Sequence, residues 1–119
     1  MIFRYHKTND NSLIAELTDE SFLINEVQDV LDLFGSLGPS ECNKIIIRKH
    51  NLSEDFFDLK TRLAGDILQK FSNYGLRLAI IGDFSKYTSK SLRDFMGESN
   101  RGNMISFVES LESALSRLR

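Results

Sequence analysis

Two apolar runs govern what this chain can become: Lys-Ile-Ile-Ile-Arg-Lys at residues 44–49 and Leu-Arg-Leu-Ala-Ile-Ile-Gly at 76–82. Three consecutive isoleucines leave no polar face, so the first run suits a strand covered on both sides, as parallel strands of α/β proteins are. Between the runs, Phe56, Leu59, Leu63, Ala64, Ile67, Leu68 and Phe71 form a wide apolar stripe. Their spacing predicts one long helix from near Ser53 to Asn73, ended by Tyr74-Gly75. Gly65 falls inside it, where glycine costs about 1 kcal/mol against alanine, and a close approach of helix to sheet is the expected compensation.

The flanking segments extend the same alternation. Ile-Phe-Arg-Tyr-His-Lys-Thr and Ser-Leu-Ile-Ala-Glu-Leu-Thr are short and β-prone, and the Asn-Asp-Asn between them tolerates turn geometry, which reads as a hairpin. From Asp19 an acidic start leads into Leu23, Val27, Val30, Leu31 and Phe34, a second amphipathic helix with Gly35 at its end and Gly38-Pro39 as a break beyond it. Leu92, Phe95, Met96 and Ser99 share a helical face closed by Gly102, Met-Ile-Ser-Phe-Val at 104–108 reads as a strand, and Leu111, Ala114, Leu115 and Leu118 mark a last helix. The order ββαβαβαβα predicts a single α/β domain over 1–119, with a five-stranded, mixed but mostly parallel sheet and about four helices.

At 119 residues one core is large enough to fold without staples. The lone Cys42 has no internal disulfide partner and reads as a small buried hydrophobe. His6 and His50 stand far apart with no further Cys or His at ligand spacing, so no metal is expected. Without a signal-like or membrane-spanning apolar stretch, the expected setting is the reducing cytoplasm, away from membranes. Fifteen basic against seventeen acidic side chains, net −2, argue against nucleic acid as a partner.

Residues 82–95, Gly-Asp-Phe-Ser-Lys-Tyr-Thr-Ser-Lys-Ser-Leu-Arg-Asp-Phe, crowd five hydroxyls and two lysines behind the second strand. Ligands of open α/β sheets gather beyond the carboxyl ends of the strands, where the first strand supplies Asn51 and Ser53. If the two strands are neighbours, Asn51, Ser53, Asp83, Ser85, Lys86, Ser89 and Lys90 line one rim, with lysines and free helix N–H groups suited to a small anion. The structural account is that Ser91 with Asp94, or Thr88 or Ser89, caps the following helix, that Asn51 or Ser53 caps the previous one, and that Asp83 closes a turn. These duties leave Ser85, Tyr87 and both lysines unexplained. The adjacent pairs Ser85-Lys86 and Ser89-Lys90 point apart, so they make no catalytic dyad. No Gly-rich phosphate loop follows either strand, and no cofactor is expected.

The stretches Glu-Asp-Phe-Phe-Asp-Leu-Lys-Thr-Arg-Leu-Ala-Gly-Asp-Ile-Leu-Gln-Lys-Phe, Ile-Ile-Gly-Asp-Phe-Ser-Lys-Tyr-Thr-Ser-Lys-Ser-Leu-Arg-Asp-Phe and Glu-Ser-Asn-Arg-Gly-Asn resemble the uncharacterised bacterial family called domain of unknown function 4180. The element order also resembles the STAS fold of anti-sigma factor antagonists and the SpoIIAA-like proteins, which implies a small regulatory or binding domain. In STAS antagonists a phosphorylatable serine opens the helix after the third strand, where this chain has Ser53. Asn51 and Leu52 depart from that motif, and Glu54 and Asp55 would repel a phosphate.

The leading expectation is a non-enzymatic regulatory or binding domain that engages a protein partner or small anion at the strand-end rim. The alternative is a small enzyme with a pocket around Asp83, Ser85, Lys86 and His50, of unnamed reaction. A third reading is a structural homodimer formed through a sheet edge or a phenylalanine-bearing helix.

Overall fold

The fold is described by a computed structural model, over residues 2–38 and 42–119. Strands β1 (Phe3–Lys7), β2 (Leu13–Leu17), β3 (Cys42–Arg48), β4 (Arg77–Ile81) and β5 (Ile105–Val108) form one sheet in the order β1-β2-β3-β4-β5. The β1–β2 pair is antiparallel and the remaining three are parallel, as the alternation of strand and helix requires. The helices are α1 (Val27–Gly35), α2 (Leu63–Tyr74), α3 (Lys90–Arg101) and α4 (Leu111–Leu118). Five strands and four helices in ββαβαβαβα order match the expected class.

Because the strands are laid down sequentially, the three crossover helices share one face. Val30, Leu33, Ile67, Phe71 and Leu92 pack there against Ile45, Ile47, Leu78, Ile80, Ile105 and Phe107. On the opposite face α4 sets Ala114 and Leu118 on Ile14, Ile46 and Ala79. Both faces of β3 are thus buried, which is what three isoleucines in a row require.

The hairpin turn is held by Asp10, whose carboxylate accepts from the Ser12 N–H (3.1 Å) and hydroxyl (2.7 Å) and from the Thr8 hydroxyl. Asn11 takes the left-handed conformation (φ +66°), which asparagine tolerates better than most residues. Pro39 lies outside the described residues.

Two helices are shorter than their apolar spacing predicts. The chain from Asp19 stays irregular until Val27, because the Asp29 carboxylate accepts from the N–H groups of Asn25 (2.9 Å) and Glu26 (3.2 Å) and fixes the helix start there. Leu23 is left outside and exposed.

The helix predicted from Ser53 opens instead as two 3₁₀ turns, Glu54–Phe57 and Leu59–Thr61, before α2 begins at Leu63, and a further 3₁₀ turn, Lys49–Asn51, precedes them. Leu52 bridges Ile24 as a parallel pair. Downstream, the Thr61 hydroxyl donates to the carbonyls of Asp55 (2.6 Å) and Asp58 (2.8 Å), Asp58 accepts from the Lys60 N–H (3.1 Å), and Arg62 sits at φ +66°. These local bonds compete with the helical ladder and win.

Gly65 also departs from expectation. It is exposed on α2, and a Cβ there would meet nothing within 4 Å, so no close approach to the sheet compensates it.

Candidate functional site

The C-terminal ends of β3 and β4 are adjacent, with Arg48 opposite Ile81 in the parallel register. The chain leaves β3 through Lys49-His50-Asn51 and β4 through Gly82-Asp83-Phe84, so the two exits stand side by side. A Cβ on Gly82 would lie 2.7 Å from the Lys49 Cβ. Glycine at 82 is therefore set by the neighbouring strand's exit and by close packing there.

The structure divides the seven rim residues. Asn51 is buried and used up in structure: its Oδ1 accepts from the Arg48 N–H (2.9 Å), and its Nδ2 donates to the carbonyls of Asp19 (3.2 Å) and Phe22 (2.9 Å). Ser53 opens the second 3₁₀ turn without capping it, and its Oγ is enclosed with no hydrogen-bond partner among the described residues. Ser89 caps α3, accepting from the Leu92 N–H (3.4 Å). Lys90 pairs along α3 with Asp94 (2.7 Å), one turn on, and both side chains are exposed.

Asp83, Ser85 and Lys86 do gather at the β4 exit. The Asp83 carboxylate accepts from the Ser85 N–H (2.9 Å), and that bond, with the Ser85 hydroxyl, holds the carboxyl below its ordinary value. Lys86 Nζ donates to Glu54 (3.1 Å).

Tyr87 is the residue around which this crest is organised, and sequence reasoning left it without a role. Its ring stacks on Phe57 (centroids 4.5 Å apart, planes 13° apart), and the ammonium groups of Lys49 and Lys86 lie 5.0 and 5.1 Å from its centroid. Its hydroxyl donates to both oxygens of Glu54 (3.1 and 3.2 Å). Burial, then the bond to Glu54 and its charge, push the phenol well above its ordinary range. Glu54 moves the opposite way, held down first by Lys86 and also by Tyr87. The available signal was negative: an aromatic in a polar loop with no apolar stripe to join.

Two hollows flank the crest. One of about 360 Å³ adjoins Asp83 and Ser85, floored by Phe84, Met96 and Phe107 and rimmed by Arg93 and Glu109. The other, of about 260 Å³, lies beyond the ends of β2 and β3 and is lined by Arg4, Glu16, Thr18, Glu20, Arg48 and His50. His50 thus faces a different hollow from Asp83 and Ser85. No reversal of strand order occurs in this sheet, so the crevice that a topological switch opens is missing, and the hollows arise from loop packing instead.

Cys42 is buried on β3 with its thiol directed to the Lys44 carbonyl (3.6 Å), and burial raises its pKa. Among the described residues no three His, Cys, Asp or Glu side chains gather as a metal-binding set, and no helix is long and apolar enough to cross a membrane.

A family model described as a domain of unknown function (DUF4180) matches residues 9–118. No curated protein and no solved structure matches the chain, so no comparison supports the expected likeness to STAS domains. With a match from the hairpin turn to the end of α4, the chain belongs to the DUF4180 family.

Proposed function

We propose that the protein is a non-catalytic binding or regulatory domain of the cytoplasm that engages a protein partner through the crest formed by Lys49, Glu54, Lys86 and Tyr87. The observation that carries this reading is the immobilised tyrosine: one ring face on Phe57, two ammonium groups beside the ring, the hydroxyl on a carboxylate. A half-buried aromatic held in this way loses little freedom on binding, and its uncovered part joins apolar area to a polar tip, the chemistry that dominates protein–protein hot spots. The neighbouring charges of both signs, exposed and paired, suit a polar interface rim.

A small anion is served less well by this crest. Lys86 and Lys90, which would hold it, are already matched with Glu54 and Asp94. The catalytic alternative draws little support, because His50 lines another hollow than Asp83 and Ser85. An element order like that of STAS regulators favours the binding reading.

The test is a quantitative pull-down with wild type, Tyr87→Ala and Gln69→Ala, the last an exposed change on α2 away from the crest. Preys lost from Tyr87→Ala and retained by Gln69→Ala are expected. An identical prey set from all three proteins contradicts the proposal.

A further inference from the structure

Glu16 raises a separate problem. It sits within β2 with 2% of its surface exposed, on the sheet face where α4 packs chiefly over β4 and β5. An apolar residue would be the inexpensive choice there, since replacing a buried ion pair by hydrophobic side chains is neutral or stabilising in many proteins. Instead the carboxylate is fully engaged: Oε1 meets His6 Nε2 at 2.9 Å and Oε2 accepts from Arg48 Nη2 at 2.8 Å. Arg48 Nη1 donates to the Leu17 carbonyl (3.4 Å), which fixes the guanidinium at the mouth of the smaller hollow.

The cations around that mouth are under-used. Arg48 spends two of its five donors on Glu16 and Leu17. Arg4, directly across the β1–β2 ladder from Glu16, makes no ion pair among the described residues, and neither does His50. Glu16 and Arg48 match each other in charge, so Glu16 acts as a strut that orients Arg48, whose remaining N–H groups serve as hydrogen-bond donors rather than as a free cation. Glu20 and Arg4 both stand exposed on the lip, where solvent and salt screen the two alike.

We propose that this hollow is a binding site for a small phosphate-like oxyanion, held by Arg48 and Arg4 with His50 as a further donor. A planar guanidinium pre-set by a buried carboxylate presents paired N–H groups to such an oxyanion. The volume of about 260 Å³ falls below the range of pockets for drug-sized ligands and suits a compact group. The site is distinct from the Tyr87 crest and goes beyond the partner reading.

The test follows backbone amide resonances of the full chain during titration with inorganic phosphate at constant ionic strength, with chloride and acetate as comparison salts. Saturable shifts confined to residues 4, 16–20 and 48–50, with a dissociation constant in or below the millimolar range, are expected. Arg4→Gln should weaken binding about tenfold (~1.4 kcal/mol) while Lys86→Ala leaves it unchanged. Arg4 is exposed, so the variant should fold, and its unperturbed spectrum elsewhere verifies this. Failure to saturate, equal shifts with chloride, tighter binding of acetate than phosphate, or undiminished affinity in Arg4→Gln would each overturn the proposal. None of these results bears on the crest.

Discussion

Gly82 is where two strand exits compete for the same space. A methyl group there would lie 2.7 Å from the Lys49 Cβ and 3.2 Å from the Phe84 ring. Gly82→Ala should therefore cost about 1–3 kcal/mol in urea unfolding, the usual range for overpacking. Lys49→Ala should not relieve it, because the offending Cβ remains, whereas Lys49→Gly should recover part of the loss. Glu16 makes the second residue-level claim. Burial alone would raise its carboxyl pKa, but the bonds from His6 and Arg48, reinforced by their charge, outweigh it and leave the pKa below its ordinary value of 4.5. The unfolded chain then binds more protons than the native one as pH falls past that value, so the stability Glu16 contributes is present above it and lost progressively below it. Unfolding free energies measured from pH 6 down to pH 3 should fall less steeply in Glu16→Gln than in wild type. A parallel slope in both proteins would mean that the ion pairs on Glu16 carry no pH-dependent stability.

Among the elements, the segment 49–62 shows most clearly what periodicity conceals. Its apolar positions continue the stripe of α2, yet Phe56 and Phe57 are buried from 3₁₀ turns, and the helix starts only after Arg62. The strands and α4 were legible from their apolar spacing, as was α3, where that spacing agrees with a serine cap and a closing glycine. The segment 49–62 was not, because side-chain bonds from Asp58 and Thr61 override a propensity worth a few tenths of a kcal/mol per residue. The site was half legible on the same grounds. Adjacency of the β3 and β4 exits follows from topology, but the pairing of Lys86 with Glu54 joins residues 32 apart in sequence and only folding reveals it. Gly65 offers the element-level prediction. Exposed in α2 with open space where a Cβ would stand, Gly65→Ala should raise stability by about 0.5–1 kcal/mol, measurable as a higher urea midpoint at unchanged slope. At the far edge, the Asn100 side chain accepts from the Phe107 N–H (2.7 Å) and donates to the Phe107 carbonyl (3.2 Å). It thereby occupies backbone groups of β5 that another strand would otherwise pair with.

For the molecule as a whole, sequential strand order has one governing consequence. It sends α1, α2 and α3 to a single face and leaves α4 to cover part of the other, so polar side chains of β1, β2 and β3 line a hollow while the β3 and β4 exits form the crest. Two separate polar features result, one built on a buried carboxylate and one on a clamped tyrosine. The clamped tyrosine is the proposed contact surface for another protein. Its most direct test is cross-linking in living cells from a photoreactive benzoylphenylalanine placed at Ser85, beside the crest, and in a parallel protein at Gln69 on the exposed side of α2. A discrete protein adduct from position 85, absent from position 69 and lost when Tyr87→Ala is added, is the predicted result. No adduct from position 85, or one that survives Tyr87→Ala undiminished, would contradict it.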